Sequence, residues 1–135
     1  GEQGRVELSD LFVSTKGQQA GAVLIEYNLY SPTGEPAGLW DVHTRIGGFA
    51  GSDLQTEQCE KTPDLVTTSE NLVEECIAAY MSMPVTKYSS GLYMENNWLW
   101  TADHDLDDAR NNNTQITIYA GRGLLIESLQ GTLWL

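Results

Sequence analysis

The densest concentration of chemically capable side chains lies in residues 98–108 (WLWTADHDLDD), where two indoles precede four carboxylates and an imidazole. Aromatic faces stack on the apolar C–H faces of a pyranose, and carboxylates accept hydrogen bonds from its hydroxyls, so this mixture suits a neutral polysaccharide. Trp98 and Trp100 are the candidate stacking residues. The same string also reads as a strand whose indoles pack inward, followed by a solvated acidic turn. Which way the indoles point separates the two readings. Asp103 and Asp105 in this cluster, with Glu127 beside a later strand, are the candidate catalytic carboxylates. Burial would raise such a carboxyl toward neutrality and suit it to general acid work.

A metal is a poorer fit. Asp103, Asp105 and Asp107 copy the first three ligand positions of a calcium loop, but Asp108 stands in place of the required Gly and Thr114 in place of the bidentate Glu. The two histidines, His43 and His104, have no zinc-ligand spacing. Neither a metal nor another cofactor is expected. The sequence also lacks a Gly-rich phosphate loop, a nucleophile elbow and a Cys/His pair, which leaves phosphoryl and acyl transfer without support.

A second cluster is WDVHTR at residues 40–45. A two-residue period puts Trp40, Val42 and Thr44 on one face of a strand and Asp41, His43 and Arg45 on the other. Asp41, His43 and Arg45 are therefore candidate ligand contacts on a polar cleft wall, or else members of a hydrogen-bonded ladder on an outer face.

The elements that must position these groups are strands. The 135 residues include 13 Gly, four Trp, six Tyr and two Phe, and few long charged helix formers. Apolar positions alternate with polar ones at residues 6–8, 11–13, 22–30, 39–46, 76–83, 92–100, 115–119, 124–127 and 132–135, with turn residues between. An apolar-x-apolar pair, two or three polar residues and a second such pair recur in Val6, Leu8, Leu11, Val13 and in Leu92, Met94, Trp98, Trp100. Paired short strands with a corner between them fit coils of a right-handed parallel β-helix, and the pattern also fits a β-sandwich. The chain reads as one all-β unit over residues 1–135.

Charge excludes some partners. Nineteen acidic side chains against seven basic ones give a net charge of -12, with Lys and Arg scattered among carboxylates. Nucleic acid and anionic membranes are disfavoured. No run approaches the ~18 apolar residues of a membrane span, and the start lacks a basic then apolar leader. Cys59 and Cys76 enclose a polar, acidic stretch containing Pro63. A bridge closing a loop at about 56–76 would constrain the unfolded chain, the alternative being two buried thiols. Asn112 begins an Asn-x-Thr glycosylation triplet.

Several strings resemble the fungal exo-β-1,3-glucanases of glycoside hydrolase family 55: residues 39–55 (LWDVHTRIGGFAGSDLQ), Cys59, residues 76–79 (CIAA), 93–107 (YMENNWLWTADHDLD) and 115–128 (QITIYAGRGLLIES). The likeness runs from about residue 9 onward, and residues 60–75 diverge most. It implies a secreted enzyme built of two tandem right-handed β-helices, which releases glucose from β-1,3-glucan ends with inversion. On that footing the chain is a few consecutive coils of a β-helix, incomplete as a catalytic unit, and an oxidising compartment in which Cys59 and Cys76 pair. The alternative is a non-catalytic glucan-binding or self-assembling β-solenoid. Coils cut from a longer array expose unpaired strand edges, so the expected partners are the rest of a larger enzyme or further copies of this chain, stacking head to tail into a filament.

Overall fold

The computed structural model describes residues 2–32, 34–61, 68–110, 113–128 and 133–134. Eleven strands appear among them: β1 (Glu2–Gln3), β2 (Glu7–Val13), β3 (Leu29–Tyr30), β4 (Ala37–Ile46), β5 (Ile77–Val85), β6 (Leu92–Glu95), β7 (Leu99–Thr101), β8 (His104–Asp105), β9 (Thr114–Gln115), β10 (Tyr119–Ile126) and β11 (Leu133–Trp134). A single 3-10 turn, Glu74–Cys76, leads into β5. The protein is all-β, and no helix among the described residues is long and apolar enough to cross a membrane.

The long strands pair in parallel, whereas the sheets of a β-sandwich are antiparallel. β4 is the centre of the larger sheet. It carries β2 on one side, and β6 followed by β7 on the other, while β11 adds to β6. A second stack pairs β10 with β5. Parallel neighbours require a crossover, and here the crossover from β4 runs through the disulfide loop to β5 before the chain returns to β6. Among the described strand pairs the short β8–β9 is antiparallel, and an isolated antiparallel bridge joins Glu60 to Ile116.

Register in the large sheet is constant. Glu7 pairs with Gly38 and Val13 with Thr44; Ala37 pairs with Leu92 and Ile46 with Thr101. This alignment sets Asp10 beside Asp41, and Asp41 beside Asn96. All three have left-handed backbones, with φ of 57°, 54° and 53°. Asp and Asn tolerate that conformation better than other side-chain-bearing residues, because their short polar groups bond locally. Each strand thus turns a corner at the same height as its neighbour. The corner also resets the alternation of faces. Leu39 and Val42 are both buried, so Trp40 points outward and stands 6.0 Å from Tyr93 instead of sharing the inner face with Val42 and Thr44. Strict period-2 reading fails there because Asp41 is not extended.

Two apolar clusters fill the interior. One joins Leu39, Val42 and Met94 of the large sheet to Met83 and Val85 of β5. The other gathers Ile46, Leu54, Ala78 and the two cysteines. Residues 22–30 form less strand than their alternation suggests: β3 and isolated bridges at Val23 and Tyr27. Tyr27 N–H donates to the Pro84 carbonyl at 2.9 Å and the Thr86 N–H donates back to the Tyr27 carbonyl at 3.0 Å, so the parallel bridge to Val85 does not need the N–H that Pro84 lacks.

Cys59 and Cys76 are bridged, with Cα atoms 5.9 Å apart and both residues buried. The bridge closes a stretch that has no strand of its own between Glu60 and the 3-10 turn among its described residues. Reduction, or Cys59→Ser with Cys76→Ser, is expected to lower unfolding free energy by about 3 kcal/mol, since the closed loop restricts the unfolded chain. Urea unfolding with and without reductant measures this, and an unchanged midpoint would refute it.

Candidate functional site

The two sequence clusters at 40–45 and 98–100 meet on one face. Arg45 pairs directly with Trp100 in the parallel register, and His43 lies against Trp98 with ring centroids 4.9 Å apart. One strand further, Phe12 pairs with His43 at 5.3 Å between centroids. The backbone N–H of Trp98 donates to His43 Nδ1 at 3.0 Å, which fixes the ring proton on Nε2. Asn96 Nδ2 donates to Asp41 Oδ1, and Trp98 Nε1 donates to Asn96 Oδ1 at 3.3 Å. Asn97 secures the corner by donating to the Leu39 carbonyl at 2.9 Å and accepting the Val42 N–H at 3.0 Å. Asp41, His43, Arg45, Trp98 and Trp100 are thereby neighbours, although 53 residues separate Arg45 from Trp98 in the chain.

The indoles do not form a conventional core. Trp98 is 60% exposed, and it lines both cavities found along this edge. One, of about 480 Å³, is bounded by Met94, Asn96, Asn97, Trp98, Leu99 and Leu124. The other, of about 360 Å³, is bounded by Trp98, Leu99 and Trp100. Arg45 is held between rings, its Cζ 5.1 Å from the Phe49 centroid and 5.2 Å from that of Trp100. Its Nη2 donates to the Gly48 carbonyl at 3.0 Å, while its buried Nε has no hydrogen-bond partner. No carboxylate pairs with it among the described residues. Phe12 and Phe49 escape a sequence reading because their roles come from register and from a turn, and neither stands in a motif.

The candidate catalytic carboxylates are placed elsewhere and share no contact. Asp103 is exposed, and its Oδ1 lies 2.8 Å from His104 Nδ1. That hydrogen bond holds the Asp103 carboxyl below the usual carboxylate range. Asp105 is 1% exposed. It accepts from Thr56 N at 3.0 Å, Thr56 Oγ1 at 3.1 Å, Gln55 Nε2 at 3.1 Å and Asp107 N at 3.1 Å. Burial pushes its pKa up, and these donors together outweigh burial and hold it down. Asp105 fastens the loop after Leu54 to β8. Close by, Arg110 holds Asp108 well below its ordinary range. Gly48 makes room for this arrangement: it has φ of +77°, and any side chain there would meet the His104 carbonyl. Glu127 follows β10, where its N–H donates to the Val85 carbonyl at 2.8 Å. Asn112 lies outside the described residues.

No protein-family profile matches the chain. Individual proteins do. The chain is 47% identical over its full 135 residues to a "Probable glucan endo-1,3-beta-glucosidase" of Arthroderma benhamiae, of which it spans 15%. It is 48% identical over 134 residues to a "Glucan 1,3-beta-glucosidase" of Cochliobolus carbonum, of which it spans 16%. It is also 46% identical over 135 residues to a "Non-secreted LysM effector LysM15" of Penicillium expansum, of which it spans 9%. The chain is related to a segment of proteins named as glucan 1,3-β-glucosidases, and it covers a small part of each relative's length.

The Asp105 latch generates a stability prediction with a definite sign. Its folded pKa is depressed, so its contribution is complete above the unfolded value of about 4 and fades as pH falls through the lower folded value. Asp105→Asn should destabilise the protein by about 2 kcal/mol at neutral pH, because a buried acceptor of several donors loses its charge. The variant should also lose part of the stability slope below about pH 4. Urea titrations across pH 2–7 test both, and identical slopes for the two proteins would contradict the assignment.

Proposed function

We propose that this chain is a set of consecutive coils of a right-handed parallel β-helix from a secreted exo-β-1,3-glucanase-like glycoside hydrolase, and that its outer aromatic face contacts β-1,3-glucan. The carrying observation is the convergence of Trp98, Trp100, His43, Arg45 and Asp41 on one face beside two cavities. Parallel stacks that the chain visits in turn support the solenoid reading, and right-handed crossovers are the rule for parallel strands. The glucosidase names of two relatives support the glucan. A disulfide supports an oxidising compartment.

Inverting hydrolysis takes a carboxylic acid and a carboxylate base ~6.5–9.5 Å apart around a water. The acid must hold its proton near neutrality, which requires a raised pKa. Asp103 and Asp105 are both shifted the other way, so they suit an acceptor or a base. In this reading Asp103 orients sugar hydroxyls or a water, Asp105 positions the loop beneath it, and the general acid comes from further coils of a longer protein. Those coils, or other copies of the chain, are the partners its open strand edges would take.

A second reading is favoured by the same carboxylates: a glucan-binding solenoid without hydrolysis, which keeps the aromatic face and lacks the proton donor. Incubating the purified chain with laminarin tests the glucan contact and whether this segment itself carries catalysis. Retention on insoluble β-1,3-glucan without glucose release is the expected result for these coils alone. Glucose release abolished by Asp103→Asn would instead assign catalysis to this segment, and absence of binding would end the glucan reading.

A further inference from the structure

Trp98 and Trp100 are two positions apart, with Leu99 between them packed toward the interior. Trp98 immediately precedes β7 and Trp100 lies within it; in extended backbone, side chains so spaced share a face and stand roughly 6.6 Å apart. Each indole is backed one strand behind: His43 packs on Trp98 and Arg45 on Trp100. The backing is itself held. His43 is tied by the Trp98 N–H and rests against Phe12, while Arg45 is clasped by Phe49 and by the Gly48 carbonyl. Among the described residues, the two indoles and Leu99 line the cavity of about 360 Å³.

We infer that Trp98, just before β7, and Trp100, within it, form two adjacent pyranose subsites, with His43 and Arg45 as positioning residues that never touch the sugar. This rests on the glucan reading above and adds to it the direction and length of the ligand. Three features select a neutral sugar. The Trp98 indole Nε1–H donates to Asn96 Oδ1, which leaves the ring face as the contact surface. A net charge of -12 repels anionic ligands. Indole faces match the C–H faces of pyranoses. The role of Arg45 is geometric: its planar guanidinium stacks between two rings, which a lysine ammonium on a flexible stem does not reproduce. Among the described residues its Nε has no hydrogen-bond partner and no carboxylate pairs with it, which fits a group retained for stacking.

The test is calorimetric titration of the full 135-residue chain with glucose, laminaribiose and laminaritriose, alongside near-ultraviolet circular dichroism to verify folding. Laminaribiose is expected to bind at least tenfold more tightly than glucose, and the third sugar to add less than twofold. Trp98→Ala and Trp100→Ala should each reduce laminaribiose affinity to that of glucose. Arg45→Lys should weaken laminaribiose several-fold and leave glucose affinity, carried by the Trp98 subsite, intact. Tyr88→Ala, at an exposed aromatic that is not among the described lining residues of either cavity, should change neither. Equal affinity for glucose and laminaribiose, wild-type behaviour of Arg45→Lys, or an equal loss in Tyr88→Ala would overturn the two-subsite inference while the glucan reading stands. Failure of all three sugars to bind would overturn both.

Discussion

The structure depends on β4 being paired in parallel on both sides in a register that survives a left-handed corner. Because side chains alternate with a period of two, a slip of one residue would turn Val42 and Thr44 to solvent and bury His43 and Arg45. Three neighbouring strands turn at the same height, at Asp10, Asp41 and Asn96, so the corner itself helps to lock the register. The Asn97 side chain reinforces it by bonding back to the Leu39 carbonyl and the Val42 N–H. The aromatic face is a by-product of that alignment. Phe12, His43 and Trp98 meet because their strands start their second halves together.

Much of the fold was legible where one face is buried and the strand is long. Alternation in residues 39–46 marks β4 to within two residues, and the run 76–83 marks β5 closely. Legibility fails where the backbone departs from extended form. Nothing in the string WDVH announces that Asp41 is left-handed, so Trp40 reads as inward when it is outward. The spacing of Leu92, Met94, Trp98 and Trp100 reads as two short strands with a corner between them, and the structure has β6 and β7 parted at the left-handed Asn96. The site was half legible. The residue types at 41–45 and 98–100 suggest a ligand face, but their adjacency is a pairing across more than fifty residues that one sequence cannot display. Asp105 illustrates the converse, since a carboxylate in an acidic run reads as reactive or solvated. Its four donors come from Gln55, Thr56 and Asp107, and only the fold brings the first two to it.

The electrostatics follow from composition and burial together. In a chain with 19 acidic side chains, carboxylates that are neither paired nor bonded to donors would repel one another. The 103–110 segment answers by giving Asp103 an imidazole, Asp105 backbone and side-chain donors, and Asp108 the guanidinium of Arg110. Arg45 is the contrast. Among the described residues it has no ion pair and is flanked by rings, so its charge is screened by π-faces and its plane is fixed.

Spacing between equivalent rungs is uneven: Glu7 to Gly38 is 31 residues, Ala37 to Leu92 is 55, and Leu92 to Leu133 is 41. Backbone pairing at the rungs is indifferent to what lies between them, and closing a loop of twice the length adds only about 0.6 kcal/mol. The stretch between Cys59 and Cys76 is anchored at both ends by one covalent bond. Its length and composition can therefore drift over evolutionary time without disturbing the register of β4, β6 and β7. Residues 60–75 are thus a natural graft point, where a foreign peptide could be displayed on the scaffold while the aromatic face keeps its shape.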